Sequence, residues 1–229
     1  MLLCFLGGVG YGLWQLVVHP ETPLPDAWNP TRPLDLQAEI TPVTRWQFRQ
    51  ALESAESCQA ALETGAAALP LPDFEASEQC HIRPQVTVSA VAGMALAPVN
   101  TRCQTALRLA MWARHGIAPA AEAHLGEGIA RVTHFSSYNC RAMRTSRGET
   151  ERMSSHATAD AIDISGFVTA SGRQITLQSG WTGPPADQAF LRAVRDSACD
   201  WFRITLGPDY NALHADHFHL QHTGWGLCR

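Results

Sequence analysis

The chain has 229 residues, of which 45% are hydrophobic, and a formal net charge of −4 at pH 7. This length suits one domain with short appendages, and the apolar content is sufficient for a single packed core. The slightly acidic balance provides no basic surface for nucleic acid, so we expect no nucleic-acid partner.

Residues 2–18 carry no charge and are dominated by Leu, Val, Phe and Gly. Such a segment is at the short end of what crosses a bilayer, which takes about 20 residues. No basic region precedes it, and no Ala-x-Ala-like cleavage site follows it. We therefore predict that residues 1–18 form an uncleaved N-terminal membrane anchor, with a cleaved signal peptide as the alternative.

Residues 19–40 contain five prolines and little periodicity. This composition favours an extended linker that holds the following domain away from a membrane surface. The alternative is a strap that lies on the domain, which Trp28 and Leu34 would allow. The remainder of the chain, residues 41–229, is predicted to form one domain.

That domain begins with Thr41-Pro42, a pair typical of a helix start, and helical apolar spacing continues to about residue 64. Residues 65–100 look irregular except for a strand at Gln85–Ala90. Thr101 to Gln104 matches a capping box that opens a helix reaching about Arg114, with Gly116 as its stop. Further helices are expected after Pro119 and over 187–206.

Strands are predicted at 129–135, 161–168, 174–178 and 217–221. They alternate with helices in an order unlike regular βαβ units. The predicted fold class is therefore α+β, with a small antiparallel sheet flanked by helices.

Three residues stand out as candidate metal ligands: His156, Asp163 and His219. Asp163 is surrounded by apolar residues of a predicted strand, and so is His219. An ionised carboxylate near a core is costly unless it is compensated, and a metal cation is an effective compensator. The alternatives are a buried His–Asp hydrogen bond without metal, and Asp160 as the competing carboxylate.

Two imidazoles and one carboxylate suit Zn²⁺, with a fourth tetrahedral position left for water. Asp216 and His217 lie just before His219. Asp216 is a candidate general base for that water, and His217 a candidate donor to a developing oxyanion. On a strand, Asp216 would point away from the ligand face, so its role requires the backbone to turn there.

His-x6-Asp followed by His-x-His resembles the superfamily of D-Ala-D-Ala peptidases, lysostaphin-like endopeptidases and the hedgehog signalling domain. Its carboxypeptidase branch carries Ser-x-His-x-x-Gly-x-Ala-x-Asp, matched by Ser154, His156, Ala161 and Asp163, with Ala159 in the place of the glycine. Four segments more closely resemble the bacterial extensin-like C-terminal domain family over roughly residues 40–229. They are Ser137–Arg141, His156–Ala159, Gly207–Asn211 and His214–Leu220.

This resemblance implies roles for four further residues. Arg141 would grip a terminal carboxylate of a peptide, Tyr138 and Ser154 would line the same pocket, and His214 would support the ligands from behind. Surface ion pairing is the plain alternative for Arg141, and simple packing is the alternative for Tyr138.

The resemblance further implies a zinc-dependent hydrolase of peptidoglycan peptide amide bonds, acting as a carboxypeptidase or an endopeptidase. The expected location is the bacterial inner membrane with the domain in the periplasm, or secretion after signal cleavage. The alternative function is a non-catalytic, zinc-containing module that binds the cell wall or supports the envelope, because a shared fold does not license activity. No protein partner follows from the sequence.

Seven cysteines are present, and six of them are spread over the domain. No CxxC pair occurs, and an even number in an exported domain indicates three disulfides. Of the many possible connectivities we expect Cys58–Cys80, Cys103–Cys140 and Cys199–Cys228. The alternative is six buried thiols in a cytosolic protein.

Overall fold

The fold is that of a computed structural model, which describes residues 2–19 and 21–229, with the side chains of residues 2–6 and 13 left aside. The helices are α1 Leu2–Val18, α2 Thr44–Ala51, α3 Ala55–Glu63, α4 Cys103–Trp112, α5 Ala118–Leu125, α6 Leu177–Gly180 and α7 Pro185–Trp201. The strands are β1 Ala66–Pro70, β2 Phe74–Ser77, β3 Cys80–Ile82, β4 Gln85–Val91, β5 Met94–Arg102, β6 Ile129–Ser136, β7 Ala142–Thr145, β8 Gly148–Met153, β9 Ala161–Thr169, β10 Gln174–Thr176, β11 Ile204–Leu206, β12 Phe218–Gln221 and β13 Leu227–Cys228.

Nine strands form one sheet in the order β1-β4-β5-β6-β9-β12-β11-β13, with β10 paired to β9. The pairs β5–β6 and β11–β13 are parallel, and the other neighbours are antiparallel. The α+β class is thus confirmed, but the sheet is larger than the small antiparallel sheet that the sequence predicts, and it includes two parallel pairs. Two separate hairpins, β2–β3 and β7–β8, stand outside the sheet.

The sheet gains its extra strands, β1 and β5, largely from residues 65–100, where the sequence predicts a single strand at Gln85–Ala90. Strand β1 is short and no residue in it is fully buried, and every residue of β2 is exposed, so neither carries the clear apolar alternation of a long half-buried strand. The strand predicted at Gln85–Ala90 is confirmed within β4. Thr101 belongs to β5, and its buried hydroxyl contacts Ser137 Oγ at 2.6 Å, so the predicted capping box is wrong.

Three predicted helix boundaries also change. The helix expected over 187–206 ends at Trp201, and Ile204–Leu206 forms strand β11 instead. The single helix expected over 42–64 is broken before Ala55, where Ser54 and Ser57 form a capping box that starts α3. Gly116 is not a stop, because the chain runs from α4 through a π-helical turn, Ala113–Ile117, into α5. A Cβ at Gly116 would lie 2.5 Å from Ser197 Oγ, so the glycine allows α7 to pack closely.

The core lies between the sheet and helices α3, α4 and α7. Its largest fully buried side chains include Trp112, Phe167, Phe190 and Phe218. Leu34 and Leu36, from the proline-containing segment, are also buried in this core. Residues near 34–36 therefore lie on the domain, as the strap alternative expected, whereas Trp28 remains 46% exposed.

Three disulfides cross-link the fold: Cys58–Cys103, Cys80–Cys140 and Cys199–Cys228. The predicted Cys199–Cys228 bridge is confirmed, whereas the predicted Cys58–Cys80 and Cys103–Cys140 bridges are wrong. Cys58 lies on α3, which packs against α4 at Cys103, and the β2–β3 hairpin carries Cys80 to the loop before β7. Both of these bridges join cysteines that are far apart in the sequence, with separations of 45 and 60, so the order of the cysteines along the chain does not predict them.

Helix α1 covers the predicted N-terminal anchor. Across residues 2–19 and 21–229, no helix has both the length and the apolarity needed to cross a membrane.

Candidate metal centre

The candidate ligands come from two adjacent strands and the turn that precedes one of them. Asp163 in β9 and His219 in β12 are directly opposed across an antiparallel pair, so their side chains lie on the same face of the sheet. His156 lies in a 3-10 turn, Ser155–Thr158, just before β9. That turn ends at Ala159 with φ of 51°, a left-handed conformation that favours the glycine of the carboxypeptidase motif.

The three side chains converge. His156 Nε2 lies 3.2 Å from Asp163 Oδ2 and 3.1 Å from His219 Nδ1, and His219 Nδ1 lies 3.0 Å from Asp163 Oδ1. One ligand atom from each residue falls within 4.8 Å of the others, so the cluster can hold a metal ion. The structure thus brings together the three residues that the sequence analysis selected.

Hydrogen bonds on the far side of each imidazole fix which nitrogen faces the cluster. His156 Nδ1 lies 2.8 Å from the carbonyl oxygen of Ser137, which only accepts, so His156 donates from Nδ1 and keeps a lone pair on Nε2. Gln221 donates its amide to Thr223, which turns Gln221 Oε1 towards His219 Nε2 at 3.4 Å. In this arrangement two nitrogen lone pairs and a carboxylate meet, a donor set that calls for a cation.

The charge state of Asp163 fits this arrangement. Burial alone would raise the pKa of Asp163, but the two imidazoles outweigh it and hold the pKa well below its usual range, because without a cation between them His156 and His219 can turn an N–H or a positive charge towards the carboxyl group. The carboxyl group is therefore ionised at neutral pH. An ionised, largely buried carboxylate facing two imidazoles can hold a metal ion.

His217 and Asp216 form a pair at the edge of the cluster. The Nδ1 of His217 lies 2.8 Å from Asp216 Oδ1, and its Nε2 lies 3.7 Å from Asp163 Oδ1. Because β12 begins only at Phe218, the backbone turns at Asp216, as a role near the site requires. The carboxylate of Asp216 orients the His217 ring, which in turn faces the cluster.

His214 lies behind this pair, in the 3-10 turn Ala212–His214. Its ring centroid is 5.3 Å from that of His217 and 5.9 Å from that of His219. Burial lowers the pKa of His214 to about 4, and repulsion from His219 and His217 acts in the same direction. The ring is therefore neutral at pH 7 and adds no positive charge beside the ligands.

The residues predicted to bind substrate lie around the His156 turn. Ser154 is buried, and its hydroxyl accepts the His156 backbone N–H at 3.3 Å, so it caps this turn. Tyr138 packs its ring against Phe74, with centroids 5.2 Å apart. The Arg141 guanidinium donates to the Ala142 carbonyl at 3.2 Å, which leaves it at the base of the β7–β8 hairpin.

Two residues that orient the candidate histidine ligands, Gln221 and Ser137, are not predicted from the sequence as part of the site. Gln221 shares the strand face of His219 two positions later, so the two-residue period of a strand was a usable signal. Ser137 acts through its backbone carbonyl, which no side-chain pattern reveals, and its buried hydroxyl bonds the Ala161 carbonyl at 2.6 Å. Together they fix the orientation of one imidazole each.

Asp160, the competing carboxylate, serves another contact. Its Oδ1 accepts from Arg102 Nη1 at 2.7 Å and lies 3.0 Å from His222 Nε2. This triad joins the end of β5, the turn before β9 and the end of β12. Asp160 therefore braces the elements that carry the candidate ligands and is engaged away from the cluster.

The fold and the site define a disulfide-linked α+β protein with a buried His/Asp cluster that can hold a metal ion. The profile of the family described as "Extensin-like protein C-terminus" matches residues 56–229, about three quarters of the chain. The chain belongs to this family. No curated protein and no solved structure shows significant similarity to it.

Proposed function

We propose that this protein is a zinc-dependent hydrolase of peptide amide bonds in peptidoglycan. The observation that carries the proposal is the convergence of two imidazole lone pairs and one ionised carboxylate, with a fourth polar side chain, His217, facing the same carboxylate. The donor set fits Zn²⁺, and His156, Asp163 and His219 would hold it. A zinc ion bound in such a set lowers the pKa of its water to about 7 and polarises a carbonyl group.

The residues of the chain supply the proton handling. The contact with Asp216 makes the His217 Nδ1 the proton donor in that pair and directs Nε2 towards the cluster. Nε2 of His217 is thereby placed to exchange a proton with a reacting group or to donate to a developing oxyanion. Asp216 acts as the positioning group of His217 in this scheme; a direct role as general base requires its carboxylate to leave that contact.

The substrate class is supported by the motif that resembles D-Ala-D-Ala peptidases and by the position of Arg141. The Ser154 backbone N–H donates to the Arg141 carbonyl at 3.0 Å, so Arg141 is tied to the turn that carries His156. The Arg141 guanidinium, which donates to the Ala142 carbonyl in this structure, would grip a peptide carboxylate through two parallel hydrogen bonds. Both a carboxypeptidase and an endopeptidase are consistent with this placement.

The proposed location is the outer side of a bacterial inner membrane, with residues 1–18 as the anchor. Three disulfides support an oxidising compartment, because such bonds persist outside the cytosol. The periplasm also holds the proposed substrate.

The test combines metal content with activity. The oxidised full chain is purified, its zinc is counted by mass spectrometry, and it is incubated with muropeptides beside His156→Ala and Asp216→Ala variants. His81→Ala, an exchange on the outlying β2–β3 hairpin, is the matched control. One zinc per unchanged chain, with cleavage lost in His156→Ala, lowered at least about 10-fold in Asp216→Ala and kept in the control, supports the hydrolase. One zinc with no cleavage by any form favours a non-catalytic cell-wall-binding module, and no bound metal overturns both.

A further inference from the structure

Helix α2 has an unusual outer face. Its buried side is made of Thr44, Gln47, Phe48 and Ala51. Its exposed side carries Arg45, Trp46, Arg49 and Gln50. Trp46 is 50% exposed and stands between two arginines on a helix that contains no acidic residue.

A single exposed tryptophan is ordinary, so the surroundings of Trp46 decide its meaning. A groove of about 800 Å³ runs between α2 and α1, and its walls include Trp46 from α2 and Trp14 from α1. Trp14 is 61% exposed, and the surface that these walls expose is mainly apolar. The groove therefore continues the apolar surface of α1 onto the folded domain.

The junction between α1 and the domain is held by specific contacts. The buried side chain of Asn29 donates to the Val17 carbonyl at the end of α1 at 2.8 Å. Gln47 of α2 donates to the carbonyls of Asp26 and Asn29, each at 3.0 Å. Through Asn29 and Gln47, the end of α1 is connected to α2 by hydrogen bonds from two buried side chains.

The chemistry of this surface matches the headgroup level of a bilayer. Indole rings are favoured there because they combine an apolar body with an N–H donor, and arginine side chains reach lipid phosphates. The arginines are available, because the Arg45–Asp200 pair spans 3.8 Å between two exposed side chains and is weak. Arg49 donates only to the Arg45 carbonyl, at 3.3 Å, among the contacts described for it.

We infer that the outer face of α2, together with Trp14 of α1, is a docking surface for an anionic phospholipid bilayer. The occupant follows from continuity with an uncharged apolar helix, from the indoles on both sides of the groove and from the two arginines. The domain then rests on the membrane through α2 instead of hanging from a free tether. This inference is independent of any catalytic activity.

The test measures immersion depth by spin labelling in the full chain. In a Cys4→Ser background, nitroxides are attached at Trp46→Cys and, with Trp46 retained, at Gln50→Cys. The control label replaces Trp225, which is 77% exposed and lies on the loop between β12 and β13. The protein is reconstituted in phosphatidylcholine vesicles with and without phosphatidylglycerol, and collisions with oxygen are compared with collisions with a water-soluble nickel chelate.

We expect the labels at positions 46 and 50 to favour oxygen in the anionic vesicles and the label at 225 to favour nickel. The double variant Arg45→Gln/Arg49→Gln should shift positions 46 and 50 towards nickel, as should removal of phosphatidylglycerol. Equal nickel access at positions 46, 50 and 225 overturns the inference even if α1 holds the chain on vesicles. Immersion that is unchanged both in the double arginine variant and without phosphatidylglycerol also overturns it. Spin–spin broadening in the absence of immersion overturns it as well, because it would indicate a second copy of the chain in the groove.

Discussion

Asp163 and His219 occupy directly opposed positions of β9 and β12, and Asp163 Oδ1 lies 3.0 Å from His219 Nδ1. The register of one antiparallel pair thus determines two of the three candidate ligands. His156 completes the cluster from a turn that leads directly into β9. A shift of one residue in this pairing would turn the two side chains to opposite faces and dismantle the site.

The first prediction separates the two neighbouring carboxylates. Asp163→Asn should lower metal affinity by more than about 100-fold, because a neutral amide replaces the only anionic ligand of the cluster. Asp160→Asn, the matched control, should keep its metal, because Asp160 faces Arg102 and His222. Metal per chain after dialysis against a chelator is the measurement. Equal loss in both variants contradicts the assignment of Asp163.

The second prediction concerns the support of His219. Gln221→Met removes the amide oxygen that lies 3.4 Å from His219 Nε2 and leaves the Ser155 hydroxyl, 3.5 Å from the same nitrogen, so metal affinity should fall about 10- to 100-fold while the fold is retained. Gln174→Met, on the exposed end of β10, is the control and should bind metal like the unchanged protein. Competition titration with a coloured chelator gives the affinities. An unchanged affinity for Gln221→Met means that Gln221 does not orient the ring.

The sequence predicts the cluster because its signals are local. Asp163 is an acid inside an apolar strand, and His219 is flanked by apolar residues in the same way, so each candidate ligand is recognisable from its immediate neighbours in the sequence. The orientation of His156 was not predictable, because it depends on the carbonyl of Ser137, which is brought near by tertiary folding. The same reason explains Thr101, whose local sequence favours a helix cap but which pairs within β5.

The third prediction tests the pair at the edge of the cluster. His217→Gln should keep its metal and lower kcat by a factor of about 10² to 10⁴, because an acid–base group is lost. Asp216→Asn should have a smaller effect of about 10- to 100-fold, because it leaves the His217 ring in place but unsupported. Steady-state kinetics on a muropeptide provide both values. A larger loss for Asp216→Asn than for His217→Gln would assign the base role to Asp216 itself.

The fourth prediction concerns the bridge between α3 and α4. Removing it with Cys58→Ala/Cys103→Ala should lower the free energy of unfolding by about 4 kcal/mol, because the bridge closes a loop with a sequence separation of 45. Cys4→Ser, which leaves all three bridges intact, is the control. Urea unfolding gives the stability, and mass spectrometry of unreduced peptides should recover Cys58 linked to Cys103. Peptides that link Cys58 to Cys80 contradict the connectivity.

The fifth prediction follows from the lowered pKa of Asp160. Burial would raise that pKa, but the hydrogen bond and charge of His222, together with Arg102, outweigh it. A carboxyl whose folded pKa lies below its unfolded value of about 3.9 stabilises the fold above that pH, and the contribution is lost as the pH falls through the folded pKa. Asp160→Asn should therefore cost about 2 kcal/mol at pH 7, a typical value for charged hydrogen bonds of this kind, and progressively less below pH of about 4.

Urea unfolding of both proteins at pH 7 and at pH 3 measures this difference. Glu149→Gln is the control, because the Arg144–Glu149 pair joins two exposed side chains and should contribute less than about 1 kcal/mol at either pH. A cost for Asp160→Asn that is independent of pH would mean that shape, and not ionisation, is what Asp160 supplies. Because the triad joins β5, the turn before β9 and the end of β12, its loss should lower the stability of the whole domain and not open the metal cluster alone, which keeps Asp160→Asn usable as the metal control at pH 7.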